Sequence, residues 1–297
     1  MQYPVTDLAA EARSEYMSRY ATENGGRIDG VEYSEEKEGD FSVSTIDILN
    51  EDGARAVGKP CGRYITVSFT DISKMGSADF SRLCSLLARL LRGLSEHIAK
   101  GAKSVLLCGL GNERLSADAF GPKAAKNALV THHLKEGAGD VFSSSGLFDM
   151  SAFYPDVSAH TGLDSSSLLA AAVKEANPDV IVVIDALSAR GAERICKTVQ
   201  LCTAGITPGA GVGNAKRPIT RESIGVPVIA VGVPTVIDTA TLLRDIAGEG
   251  AVGEEAFGFF VCPKDIDELC EKLSLLVGFA INRAFHGELS IEEMMLL

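Results

Sequence analysis

The sequence has no tryptophan, five histidines and no apolar stretch of the roughly 18 residues that a membrane-spanning helix requires. Its longest apolar candidate, residues 226–237, is interrupted by Pro227, Gly232 and Pro234, which rules out a helical span there. The N-terminus, MQYPVTDLAAEARSEY, lacks the basic start, apolar centre and small-residue cleavage site of a secretory signal, so a cytoplasmic location is expected. The seven cysteines, at 61, 84, 108, 196, 202, 262 and 270, are odd in number and form no Cys-x-x-Cys pair. That pattern excludes a zinc ribbon or a disulfide framework and suits buried, reduced thiols. Basic residues are also in deficit: 28 Lys and Arg stand against 40 Asp and Glu, for a net charge of −12. Such a surface repels a phosphate backbone, and no direct nucleic-acid partner is expected. The one short basic cluster, Lys216-Arg217, reads as a solvated loop tip.

What remains is an ordinary globular composition, 46 % hydrophobic and 23 % charged over 297 residues, long enough for a sizeable core. Residues 41–49 and 64–69 alternate apolar and polar side chains and read as strands with one wetter face. Apolar residues recur at three and four over residues 78–99, predicting a long amphipathic helix that ends at Lys100-Gly101. Beyond it, buried strands at 104–108, 180–184, 195–202, 228–231 and 257–261 are interleaved with helices at 118–134, 165–176, 238–246 and 266–284. Continuous Val and Ile runs separated by helices predict a three-layer α/β/α fold with a largely parallel mixed sheet. No repeat, linker or low-complexity segment divides the chain, so residues 1–297 read as a single α/β domain. Its first hundred residues supply peripheral strands and a helix, and residues 24–40 read as a polar, mobile loop.

In such a sheet ligands gather at the carboxyl ends of the strands. The loops at 109–122, 185–190 and 205–217 leave those ends with unusual chemistry. Asp118 follows the first loop, and Asp185 ends the run VIVVI. A carboxyl group at the end of a buried strand is desolvated, which raises its pKa, and a second carboxylate nearby separates the two protonations. One acid and one base at the same pH suffice to activate a water and protonate a leaving amine. Helix capping is the alternative for both, because Asp is a favoured N-cap and each precedes a helix-like segment. The glycine-rich stretch GITPGAGVGNAKR at 205–217 matches neither dinucleotide nor P-loop fingerprints. It reads either as a turn-rich connector or as a loop whose N–H groups meet a peptide or an oxyanion. Gly209, Gly211, Gly213 and Asn214 are its candidates, with Gly109, Gly111 and Asn112 in the first loop. His132, His133, His160, the serines 143–145 and the serines 165–167 stand in no G-x-S-x-G elbow or H-E-x-x-H pair, and read as surface or capping residues.

Several stretches together resemble the germination proteases of spore-forming bacteria. They are GLGNERLSADAFGP at 109–122, YPDVSAHTGLDSS at 154–166, VIVVIDALSAR at 180–190, GITPGAGVGN at 205–214 and GVPVIAVGVPTVIDTATL at 225–242. TDLAAEA near the start and CGRYITV at 61–67 extend the likeness across almost the whole chain. The resemblance implies an endopeptidase that degrades small acid-soluble spore proteins during germination. It implies an atypical aspartic protease without metal or other cofactor, working as a homotetramer in the spore core, on a fold similar to hydrogenase-maturation peptidases. The family's two implicated aspartates fall on Asp118 and Asp185, so the resemblance favours chemistry over capping.

The chain departs from the family in places. It has His160 where Gln is usual, and Glu113-Arg114-Leu115-Ser116 differ in the first loop. Family zymogens carry a removable segment before the TDLA-like stretch, whereas MQYPV alone precedes Thr6 here, so a very short or missing propeptide is expected. Three other functions compete. A metal-dependent maturation peptidase would need ligands that neither Asp motif supplies as histidine. Peptidyl-tRNA hydrolase shares GLGN but needs a nearby His and a basic groove. A catalytically inactive binding protein on the same fold would hold Asp118 and Asp185 apart.

Overall fold

Side chains alternate along the buried strands, and that alternation sorts the core onto two faces of one sheet. The computed structural model describes residues 6–20, 27–137, 139–248 and 258–287, so MQYPV and the start of the expected strand at 257 lie outside the described residues. Among the described residues nine strands form the sheet: β1 (Val31–Glu38), β2 (Phe41–Ile48), β3 (Gly62–Ser68), β4 (Ser104–Gly109), β5 (Asp149–Phe153), β6 (Val180–Ala189), β7 (Thr198–Cys202), β8 (Val228–Asp238) and β9 (Phe260–Val261). Their order is β1-β2-β3-β7-β8-β6-β4-β5, with β9 added to the end of β8. The run β8-β6-β4-β5 is parallel, while β1, β2, β3, β7 and β9 pair antiparallel.

On one face Val105, Leu107, Val180, Val182, Ile184, Ile229 and Val231 pack against the helices Ser77–Ile98, Phe120–Lys126 and Ile266–His286. On the other, Leu106, Cys108, Ile181 and Val183 meet Leu169 of the helix Ser165–Ala176, and Ile46, Ile48 and Tyr64 meet the helix Ala9–Tyr20. The result is the mixed α/β fold with helices on both sides that the strand and helix pattern predicts.

Several boundaries differ from the sequence reading: β7 starts at Thr198 and β9 spans only Phe260–Val261, and four larger differences have a clear physical reason. Residues 31–38, expected in a loop, form β1, which pairs with β2 along its whole length and leaves almost every side chain in water. The helix expected over 118–134 is broken into a 3-10 turn Ser116–Asp118, the helix Phe120–Lys126 and the helix His132–Gly137. Between the two helices the Leu129 N–H turns to the Asn282 side chain, and Thr131 exchanges hydrogen bonds with Phe148 and Met150 instead of continuing the helical ladder. The β6 strand runs five residues beyond Ile184, so Asp185 sits inside a strand. Likewise β8 continues past Val231 through Pro234, which the sheet accommodates at a bulge where the β6 register shifts between Leu187 and Ser188.

Candidate active site

β4 ends at Gly109, opposite Ile184 of β6, and the Leu110 N–H donates to the Ile184 carbonyl at 2.8 Å as the chain leaves the sheet. Asp185 is therefore the first residue of β6 beyond the end of its neighbour. Its side chain opens into a cavity of about 720 Å³. Alternation puts Asp185 on the face of Ile181 and Val183, among apolar side chains, yet only 7 % of its surface is exposed. Burial above all, then the nearby charges of Asp118 and Asp7, push its carboxyl well above the usual carboxylate range, while the Ala186 N–H bonded to it opposes that rise.

Asp118 reaches the same cavity from the 109–119 loop. The loop folds back tightly because two glycines permit it. Gly111 has φ +123, and a Cβ there would lie 2.0 Å from the Asp118 carbonyl oxygen. A Cβ on Gly121 would lie 2.1 Å from the Leu110 carbonyl oxygen and 2.4 Å from that of Ile184. The Asp118 carboxylate accepts the Asn112 N–H at 2.9 Å, which fixes its direction. Burial raises its pKa to about 6, against the Asn112 hydrogen bond, with Asp156 adding to the rise. Neither aspartate caps a helix: the residue before Phe120–Lys126 is Ala119, and Asp185 lies in a strand.

The structure thus brings Asp118 and Asp185 together with Gly111, Gly209, Gly211 and Asn214 around one cavity. Gly109 and Gly213 are not among its lining residues, because Gly109 instead packs against the Gly121 and Pro122 backbone. Asn112 acts through its backbone N–H on Asp118. In the 205–217 loop, the N–H groups of Ala210, Val212, Gly213, Asn214 and Lys216 bond carbonyls of the same loop, so it presents a folded wall. His132 pairs with Asp149 at 2.7 Å and His160 with Asp156 at 3.1 Å, while Ser166 and Ser167 bond Asp164 at a helix start. Of these serines, Ser165 lines the cavity.

Three further carboxylates line the cavity without having been singled out in the sequence: Asp7, Asp156 and Asp164. Each lies in a stretch that carries the family likeness, TDLAAEA or YPDVSAHTGLDSS, and that was the available signal. Asp7 docks on the free edge of β6, its N–H donating to the Ser188 carbonyl at 3.0 Å and its carboxylate accepting the Ser188 N–H at 2.9 Å. Half-buried Lys59 donates to the neighbouring Thr6 carbonyl at 2.7 Å, and burial raises the pKa of Asp7 against the Ser188 hydrogen bond and the Lys59 charge. Among the described residues no group of three or more His, Cys, Asp or Glu is arranged to hold a metal ion. No described helix is long and apolar enough to cross a membrane. A separate groove of about 570 Å³ holds Arg82, Arg89, Arg92 and Arg283. Arg82 and Arg89 there are paired with Asp79 and Glu38.

The chain is similar to known proteins. The family model for germination protease matches residues 7–248. A germination protease of Clostridium perfringens is 34 % identical over 97 % of each chain, and one of Caldanaerobacter subterraneus is 35 % identical over 97 % of this chain and 96 % of its own. One of Priestia megaterium is 39 % identical over 82 % of this chain and 66 % of its own. Among solved structures, a nickel–iron hydrogenase maturation protease from Thermococcus kodakarensis aligns over 64 % of this chain and 99 % of its own, at 20 % identity and a TM-score of 0.35.

Proposed function

The chain belongs to the germination protease family, and from that premise we propose that it is an endopeptidase whose water is activated between Asp118 and Asp185. The observation that carries the mechanism is that these two aspartates line one cavity, both with pKa values raised by burial and Asp185 the more deeply buried.

Asp118, with a pKa of about 6, is ionised at neutral pH and held in that form by the Asn112 N–H. Asp185, more deeply buried and beside the Asp118 charge, keeps its proton. The Asp118 carboxylate therefore takes a proton from water as the oxygen attacks the scissile carbonyl carbon, and Asp185 gives its proton to the departing amine. The unequal environments favour Asp118 as base and Asp185 as acid, a choice that two identical side chains leave open in the sequence. Metal chemistry at the same place would rest on carboxylate oxygens alone, a donor set suited to hard ions.

Family resemblance supplies the finer parts of the reading. The substrates are small acid-soluble spore proteins, the setting is the spore core, the working form is a homotetramer, and the chain reads as one peptidase domain. Incubation with a purified small acid-soluble spore protein, read by mass spectrometry, is the test of substrate. Discrete internal cleavage in the presence of a chelator supports the proposal, and an intact substrate overturns it.

A further inference from the structure

The mechanism requires Asp118 and Asp185 to keep a fixed separation, although they come from different parts of the chain and Asp118 sits on a single 3-10 turn outside the sheet. A turn of three residues has little rigidity of its own, so something else must tie it to the strand that carries Asp185.

Thr235 is placed to do so. It lies on β8, which runs parallel to β6 and next to it, at the point where the ladder skips a residue: Leu187 pairs with Pro234 and Ser188 with Val236, leaving Thr235 opposite no partner. A bulge of this kind re-aims a side chain without ending the strand. Pro234 fits there because it has no N–H to lose, and its carbonyl is taken by the Cys196 N–H at 2.7 Å. Thr235 is 1 % exposed, lines the cavity, and donates its hydroxyl to the carbonyl of Ala117, the residue before Asp118, at 2.6 Å.

Among the described residues, two other hydrogen bonds that involve a side chain hold the turn, and they point elsewhere. Asn112 bonds Asp118 from within the same loop, and Ser116 bonds Asp267 at the start of the terminal helix. Of these three, the Thr235 hydroxyl alone links the turn to the parallel strands beside Asp185. We propose that Thr235 is a positioning residue of the peptidase site, whose hydroxyl braces the Asp118 turn against β8 and so sets the geometry between the two aspartates. This rests on the two-aspartate reading above.

Thr235→Val keeps the shape and removes the hydroxyl, and Thr235→Ser keeps the hydroxyl and removes the methyl group. The brace predicts that Thr235→Val lowers kcat by on the order of 100-fold, the effect of a small misplacement of reacting groups, with KM changed less than about twofold. It also predicts that Thr235→Ser restores most of the rate. Peptide-resolved hydrogen exchange supplies a readout independent of turnover: residues 111–119 exchange faster in Thr235→Val than in wild type or Thr235→Ser, while β4 and β6 do not. Unchanged kcat and exchange in Thr235→Val, or equal damage in Thr235→Ser, would overturn the proposal. If Asp118→Asn keeps full activity while exchange at 111–119 still responds to Thr235→Val, the two-aspartate reading fails and the brace stands as a structural feature.

Discussion

Asp118 and Asp185 line one cavity, and the charge of Asp118 is second only to burial in keeping the proton on Asp185. The two residues reach that cavity by different routes. Asp185 is carried by a buried strand that outruns its neighbour, and Asp118 by a loop folded back over the strand ends through Gly111 and Gly121. The consequences can be measured one at a time.

The pH profile should report Asp118 directly. With a base of pKa about 6, kcat/KM rises roughly tenfold per pH unit below that value and levels above it. An alkaline limb follows where Asp185 loses its proton, on the high side of Asp118. A profile that is flat between pH 5 and pH 7, for protein shown folded by circular dichroism, would remove Asp118 from the role of base.

The same residue should cost stability. The folded protein holds the Asp118 proton more tightly than the unfolded chain does, so ionising it works against folding. The stability it withholds is lost as pH rises from about 4 to about 6 and stays lost above. Asp118→Asn is therefore more stable than wild type at pH 8 by on the order of 2 kcal/mol, and equal to it near pH 3. Urea unfolding at the two pH values checks the sign; a variant less stable than wild type at pH 8 would contradict it.

Gly121 should tolerate no side chain. The atoms that a Cβ would meet are the backbone carbonyl oxygens of Leu110 and Ile184, which cannot swing aside. Gly121→Ala should lose about 3 kcal/mol in denaturant unfolding and should displace the 109–119 loop, with loss of activity beyond the loss of stability.

Ser188 offers the opposite case. Its hydroxyl is buried without a hydrogen-bond partner among the described residues, although its backbone N–H and carbonyl are both bonded by Asp7. Ser188→Ala removes an unsatisfied polar atom and should leave stability unchanged or raise it by about 1 kcal/mol. A clear loss of stability would contradict this.

Much of this fold is legible in the sequence because the central strands and the long helices bury continuous or strictly periodic apolar faces. The runs at 104–108 and 180–184 lie within β4 and β6, and the periodicity over 78–99 marks the helix Ser77–Ile98. β1 escaped because it is wet on both faces and leaves no alternation to read. The break after Lys126 escaped because it depends on distant partners such as Asn282. At the site, Asp118 and Asp185 stand in distinctive motifs. Asp7 and Thr235 acquire their places only through contacts with Ser188 and Ala117, remote in sequence. Those contacts are tertiary, and spacing along one chain does not encode them.

The central claim is that Asp118 and Asp185 work as one unit, and a double-mutant series on a purified small acid-soluble spore protein tests it most directly. Wild type, Asp118→Asn, Asp185→Asn and the double variant would be compared by initial cleavage rate, with products identified by mass. The account predicts that each folded single variant loses at least about 1,000-fold and that the double variant is no slower than the worse of the two, as groups acting in one step behave. Cleavage that survives either single substitution, or losses that multiply in the double variant, would contradict it.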